Sequence, residues 1–571
     1  MSLLFESVNI KKSFGDRVIL KDINFKVQNG DRVAVVGNNG AGKTTLINII
    51  VGSIEQENGF IIWHKKNVKI GYLRQSSYYS QDEYMEVLKQ DTIEIKDFFD
   101  TVKKLGIDYN EDWNTSRLCN LSGGEKTKFS IAKIWSTMPE LLILDEPTNH
   151  MDYQGIEWLI NELRNYKGTI IVISHDRYFM DKISEKVIEI EDGIAHCYKG
   201  NYTSYYNEKK KRYESQLHQY QAQEKYKNKI KSDIRQLNDW ALKGHRESTK
   251  KEGLKEKYRA RAKKKDKQVK SRRKRLEKIN VEGIKKPKEE QKIKFDIIGN
   301  ESSSQKILEA RNIAKTLGNK ILFNDSSFYI KKGEKIGLFG KNGCGKTTLI
   351  KTIMSEGLFD SGEIYVNPSL KVGYLSQDVI DFDNDKTVLE IFDIENYEKR
   401  GVLQTLLTNM GFSKSMINMK VKNLSLGEKT RLKLASMIIM KSNILILDEP
   451  TNHLDLHSRE MLEKTLMKYR GTIIIVSHDR YLMEKLCNKV LVFEDNKIMR
   501  IEYSFKEYMD KKYDIKDVEV DNKEKLMIIE NKIAELIGEL SLLSPEAEKY
   551  KKLDKEYQNL IKAKKNLTNS N

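Results

Sequence analysis

Cysteine is scarce in this chain: four among 571 residues, at Cys119, Cys197, Cys344 and Cys487. Scattered singly, they have neither metal-ligand spacing nor the pattern of a disulfide scaffold. This excludes a stapled exported fold and fits a reducing cytoplasm. Long hydrophobic runs are missing too. None approaches the ~20 apolar residues that a membrane span needs. The most apolar stretches, Glu140-Leu-Leu-Ile-Leu144 and Gly471-Thr-Ile-Ile-Ile-Val476, have strand length instead, so no membrane partner is expected. Residues 1–8 lack a basic leader followed by an apolar segment, so no signal peptide is expected. A single core is excluded by length, and several domains are expected.

What is present is positive charge, and it is concentrated. The formal net charge is +18 and the sequence pI near 9.2. Residues 250–278 carry sixteen Lys/Arg against four Asp/Glu, and residues 207–249 carry eleven against six. These two stretches hold nearly all of the excess, and so one-signed a field calls for a polyanionic partner. Within them Tyr213, Leu217, Tyr220, Ile230, Ile234 and Leu237 recur mostly at threes and fours. Leu254, Tyr258, Ala262, Val269 and Leu276 mark a return limb. The pattern predicts two antiparallel helices, each limb of about 35 residues reaching on the order of 50 Å. The turn is expected near 238–248, where Gly244 would break the helix and Trp240 and Leu242 would stand at the tip.

The rest of the chain is duplicated. Lys43, Ser122, Asp145 and His175 recur 303 residues later as Lys346, Ser425, Asp448 and His478, and Gln75 recurs as Gln377. Strand-length apolar runs alternate with helical patterns in each copy, which implies α/β architecture. After the strand-like Arg32-Val-Ala-Val-Val36 comes Gly37-Asn38-Asn39-Gly40-Ala41-Gly42-Lys43-Thr44, then an apolar helix from about Thr45. The second copy reads Gly340-Lys341-Asn342-Gly343-Cys344-Gly345-Lys346-Thr347, followed by Thr348. Glycines between a strand and a helix let backbone N–H groups approach phosphate oxygens, and the helix N-terminus adds its dipole. Lys43 and Lys346 would reach the β- and γ-phosphates; Thr44 and Thr347 would ligate Mg²⁺. Two buried strands then end in carboxylate pairs. Asp145 and Asp448 would hold Mg²⁺, while Glu146 and Glu449 would polarise the attacking water.

Leu121-Ser122-Gly123-Gly124-Glu125 and Leu424-Ser425-Leu426-Gly427-Glu428 resemble the signature motif of ABC ATPases. Gln75 and Gln377 fall where that family has its Q-loop, a further contact to nucleotide and Mg²⁺. His175 and His478 fall at its switch histidine. Pro147-Thr-Asn-His150, Pro450-Thr-Asn-His-Leu-Asp455, Ser174-His-Asp-Arg-Tyr178, Ser477-His-Asp-Arg-Tyr481 and the basic linker narrow the resemblance to the ABC-F family. The resemblance implies two P-loop domains paired within one monomer, with one ATP under each phosphate loop. Lys43 and Glu146 would share theirs with Ser425, Gly427 and Glu428; Lys346 and Glu449 theirs with Ser122, Gly123 and Gly124. Both histidines would contact the γ-phosphate. Phe14 sits where an aromatic ring stacks on adenine, and Leu317 stands at the aligned place. Leu426 replaces a signature glycine, and Met151 stands where the second copy has Leu454, so unequal sites are expected.

The family also implies a ribosomal partner. The linker hairpin would enter the exit-tRNA site of the large subunit, against rRNA and beside the peptidyl-site tRNA, pointing to the peptidyl-transferase centre. The near-equal intervals from Gln75 to Ser122 and from Gln377 to Ser425 argue against an added arm. A long linker without one resembles the antibiotic-resistance branch, which dislodges lincosamides, pleuromutilins and streptogramin A. A housekeeping translation factor is the alternative within the family, and the ATPase subunit of a transporter the alternative outside it. A DNA-acting ABC ATPase lacks support, because no very long coiled coil or zinc module interrupts either copy. The expected organisation is a first ATP-binding domain over 2–202, the linker over 203–304, a second domain over 305–510 and a C-terminal helical hairpin over 521–568.

Overall fold

The computed structural model describes residues 2–74, 123–149, 151–250, 255–284, 306–355, 359–376, 382–392, 397–440, 442–452 and 454–512. It also describes isolated positions at 286 and between 532 and 562. Gln75, Ser122, Gln377 and nearly all of the expected C-terminal hairpin lie outside the described residues.

Two compact units are present. The first comprises Met1–Phe295 together with Phe382–Glu428 and His453–Lys464; the second takes Asp296–Asp381, Lys429–Asn452 and Thr465–Asn571. Two segments of the second repeat thus cluster with the first, which the boundaries read from the repeat do not anticipate.

The first unit opens with β1 (Leu3–Phe14) and β2 (Arg17–Gln28), an antiparallel pair, then β3 (Arg32–Val36) and α1 (Lys43–Val51). β4 (Asn58–Trp63), β5 (Ile70–Leu73), α2 (Gly123–Ser136), β6 (Leu141–Asp145), α3 (Tyr153–Asn165) and β7 (Thr169–Ile173) follow. α4 (Arg177–Ile183), β8 (Lys186–Glu191) and β9 (Ile194–Lys199) complete it. The nine strands run β4-β1-β2-β9-β8-β3-β7-β6-β5, with β8, β3, β7, β6 and β5 parallel. β6 and β7 are buried at every position, which is why they read as unbroken apolar runs and not as alternation. One core lies over α1 and the antiparallel strands (Leu46, Ile47, Ile143, Ile171), another beneath α3 and α4 (Leu144, Leu159, Leu163, Phe179).

The linker follows as α5 (Tyr202–Lys250) and α6 (Lys255–Glu282). Here the structure corrects the expectation. The helix passes through Gly244 and continues to Lys250, and the next described helix begins at Lys255. At 1.5 Å per residue the limbs are roughly 73 Å and 42 Å long, unequal instead of matched. The register is antiparallel. Asp233 pairs with Arg272 at 3.4 Å, and seven residues after the first and seven before the second Lys265 lies 4.4 Å over the Trp240 ring. Ile230, Leu237 and Val269 are buried on the predicted seam.

In the second unit β10 (Lys306–Leu317), β11 (Lys320–Lys331) and β13 (Ser361–Val366) form a three-stranded antiparallel sheet. β12 (Lys335–Gly340), β14 (Val372–Leu375), β15 (Ile444–Asp448), β16 (Thr472–Val476), β17 (Lys489–Glu494) and β18 (Lys497–Ile501) form a six-stranded one, order β14-β15-β16-β12-β17-β18. Their helices are α7 (Lys346–Ser355) and α12 (Arg480–Leu486). Between them the chain forms α8 (Tyr397–Asn409), α9 (Lys414–Ile417), α10 (Leu426–Ile439) and α11 (Leu456–Lys468).

Candidate functional site

Three loops leave the carboxyl ends of the adjacent parallel strands β3, β7 and β6, the place where open α/β sheets bind ligands. The β3 loop carries the glycine-rich motif. At Gly42, φ is +99° and a Cβ would fall 2.7 Å from both Ile19 and Leu20 side chains, so only glycine lets the loop close over β2. Lys43, nearly buried, donates to the carbonyls of Gly37 at 2.8 Å and Asn38 at 3.2 Å. Its charge is thereby held under the loop, where a phosphate would replace those carbonyls. Burial lowers its pKa, against the nearby carboxylates of Glu146, Asp455 and Asp145.

The β6 loop presents the two carboxylates. Asp145 accepts from the Thr44 hydroxyl at 3.2 Å, and burial lifts its pKa to about 6 against that bond and the Lys43 charge. Glu146 has φ +52°, a left-handed conformation for a non-glycine residue. Such a conformation costs about 1–3 kcal/mol and persists where surroundings enforce it. Here its own N–H donates to Ile173 at 2.8 Å, and its Oε2 accepts from the His175 backbone at 3.3 Å. Oε1 is buried with no hydrogen-bond partner among the described residues, although His175 Nε2 stands 3.6 Å away. Burial pushes Glu146 up to about 7, while Arg459 pulls the other way. His175 falls to about 3 through burial, with Lys43 and Arg459 adding to the shift, so its ring is neutral.

Phe14, half exposed, closes the cavity of about 290 Å³ that contains Gly40, Lys43, Thr44, Thr45 and Glu146.

The second unit repeats the arrangement. Lys346 donates to Gly340 and Lys341 carbonyls at 2.8 Å each, and Thr347 donates to Asp448 at 2.9 Å. Glu449 has φ +50°, accepts from the His478 backbone at 3.3 Å and leaves a buried Oε1 without a hydrogen bond among the described residues. Burial raises both carboxyls above their ordinary values. The copies also differ. His478 Nε2 lies 3.1 Å from Asn342 Oδ1, and Lys320 donates to the Gly343 carbonyl at 3.1 Å. Leu317, largely exposed, offers no ring for stacking.

Of the signature residues, Gly123, Gly124 and Glu125 open α2. Ser425 and Glu428 form a capping box at the start of α10: Ser425 N–H donates to Glu428 Oε2 at 2.8 Å, and Glu428 N–H to Ser425 Oγ at 3.3 Å. Leu426, inside that box, is exposed. Ser425, Gly427 and Glu428 fall in the same compact unit as Lys43.

Two residues absent from the expected site join it. Asp455 accepts from the backbone N–H of Asn39 at 3.2 Å and from Ser458 at 2.9 Å. Burial pushes its carboxyl up, but those donors hold it below the ordinary range. Arg459, nearly buried one turn further along α11, donates to the Leu454 carbonyl at 3.1 Å. Asp455 ends a quoted motif; Arg459 carries no sequence signal of its own.

The donor set fits a nucleoside triphosphate with Mg²⁺. Each loop offers backbone N–H groups at a helix start, a buried ammonium, a hydroxyl–carboxylate pair for the ion and an orphaned carboxylate oxygen beyond it.

A family model described as "ABC transporter" matches residues 20–149 and 323–452, and a second with that description matches 188–296, across the linker. The ribosome protection protein VmlR of Bacillus subtilis is 36% identical over 565 residues, covering 98% of this chain and 97% of that protein. ABC transporter F family member 5 of Arabidopsis thaliana is 32% identical, covering 91% and 79%. Among solved structures, the complex of the archaeal ribosomal stalk protein aP1 with the archaeal ribosome recycling factor aABCE1 matches with TM-score 0.60. It is 19% identical and covers 88% of this chain and 91% of the matched one; at that identity the likeness is one of fold.

Proposed function

Because the chain belongs to the ABC-F ATPases, we propose that it works on the ribosome, using ATP binding to set the basic hairpin and hydrolysis to withdraw it. ATP hydrolase activity goes with the family. The ribosomal role draws on the name of the relative that aligns over almost the full length and on the charge of the linker. The single observation that carries the reading is the contact between Asp455 and Asn39. Through it a residue of the second repeat touches the phosphate loop of the first, so nucleotide at Lys43 is in a position to draw that segment inward.

In this reading Lys43 and Lys346 turn from loop carbonyls to the phosphates. Thr44 with Asp145, and Thr347 with Asp448, hold Mg²⁺, joined by Gln75 and Gln377. The ion, when bound, neutralises charge developing on the phosphate oxygens. The Oε1 of Glu146 and of Glu449 accepts a hydrogen bond from the attacking water, and His175 and His478 steady the γ-phosphate end. Ser425, Gly427 and Glu428 complete the Lys43 site, and Ser122, Gly123 and Gly124 the Lys346 site. The hairpin enters the exit-tRNA site of the large subunit against rRNA and the peptidyl-site tRNA. There its tip displaces lincosamide, pleuromutilin and streptogramin A drugs from the peptidyl-transferase centre.

Glu146→Gln with Glu449→Gln is expected to co-sediment with ribosomes in ATP and to leave them when ATP is removed. Free sedimentation of that variant in ATP would end the ribosomal reading. Growth of a drug-sensitive host expressing the chain separates protection from a housekeeping translation role, since unchanged inhibition by all three drug classes favours the latter.

A further inference from the structure

α4 is seven residues long, begins two residues after His175 and is separated from the linker by β8 and β9. Its first residue, Arg177, is buried and pairs through its guanidinium with the carboxylate of Glu463, also buried, on α11. α11 starts immediately after Asp455, the residue bonded to the phosphate loop. At the other end of α4, Asp181 accepts from the backbone N–H of Thr203 at 2.8 Å, in the first turn of α5. Tyr202 is buried with Met180 of α4, Tyr198 and Tyr205, and Leu456 of α11 packs against that cluster. The base of α5 is further tied to β8, because Tyr205 donates to Glu189 at 2.7 Å and Lys209 reaches the same carboxylate.

The duplication does not repeat this combination of residues. The residue 303 beyond Arg177 is Arg480, which donates to Glu484 of its own helix at 2.6 Å. The residue 303 before Glu463 is Ile160, buried in an apolar core. Separating a buried ion pair leaves uncompensated charge and is strongly disfavoured. A contact of that kind can bias an element that has two arrangements, as coupling between sites requires.

We propose that the Arg177–Glu463 pair is a latch through which α4 passes the nucleotide state of the Lys43 site to the base of the linker hairpin, with Arg177 its positioning residue. The proposal rests on the reading that closure sets the hairpin. When Asp455 seats on the phosphate loop, α11 carries Glu463 onto Arg177. α4, too short to bend, then holds Asp181 against Thr203 and fixes the root of α5. Loss of the Asp455 contact draws Glu463 away and frees α4 to turn.

The test needs no ribosome. Amide hydrogen exchange over residues 203–212 is followed in the full-length Glu146→Gln/Glu449→Gln protein, with and without Mg²⁺-ATP. ATP is expected to slow exchange there about tenfold; Glu463→Gln and Arg177→Met are expected to abolish that slowing while affinity for a fluorescent ATP analogue changes less than about threefold. Arg177→Glu combined with Glu463→Arg restores the response, which lost packing alone would not allow, and Arg480→Met leaves it intact. Full ATP-dependent protection in Glu463→Gln, or equal losses in Arg480→Met and Arg177→Met, overturns the latch. Loss of ribosome co-sedimentation with the exchange response intact overturns the ribosomal reading alone.

Discussion

Glu146 is ionised at neutral pH only against its surroundings, since burial lifts it to about 7 from an ordinary 4.5. Below about 4.5 the group is protonated in folded and unfolded chains alike, and no penalty arises. As pH rises from there through 7 the unfolded chain releases the proton first, so stability is lost across that window. Glu146→Gln removes the loss. Nucleotide-free Glu146→Gln is expected to be more stable than the parent at pH 8 by on the order of 3 kcal/mol and to match it near pH 4. Thermal unfolding of both proteins at the two pH values checks this, and coincident midpoints at pH 8 would show that the carboxyl is not strained by burial. The cost is tied to function: the buried oxygen without a hydrogen bond among the described residues is the one the attacking water would need.

Among the elements, α5 departs furthest from its sequence reading. Gly244, with Trp240 and Leu242 before it, reads as a helix end, yet α5 continues for another six residues. Glycine inside a helix costs roughly 1 kcal/mol relative to alanine. The paired limbs offset that through Ile230, Leu237 and Val269 and through the Asp233–Arg272 bridge. Gly244→Ala is therefore expected to slow amide exchange over residues 238–250 severalfold, consistent with a gain of about 1 kcal/mol. Faster exchange would place a break at Gly244 after all. α10 shows the opposite case. Its Ser-x-x-Glu start is legible in the sequence because a capping box is a contact within one turn, and the structure forms it at Ser425 and Glu428.

For the molecule as a whole, one fact of charge governs the proposed partner: nearly all of the +18 excess lies on the hairpin. Lys263, Lys264, Lys267 and Lys270 are exposed on α6. Reversing all four to Glu is expected to weaken ribosome binding at least a hundredfold near 150 mM salt. It should also flatten the salt dependence, because each lost phosphate contact removes roughly 0.9 from the log–log slope. Sedimentation across a salt series reads both quantities, and unaltered occupancy would remove the polyanion from the argument.

The α/β class, the duplication, both phosphate loops, the strand-end carboxylates and the antiparallel basic linker are all legible in the amino-acid sequence. Each depends on residues close together along the chain or on a pattern repeated 303 residues later, and local sterics and hydrogen bonding settle such features without help. Tertiary structure decided the rest. It carried the first limb through Gly244 to Lys250, because pairing between two limbs outweighs one glycine's preference. It brought Asp455 and Arg459 to the first copy's nucleotide site, and Glu463 to Arg177. Those contacts bridge more than 280 residues of chain, and nothing in local spacing encodes which buried charge will meet which.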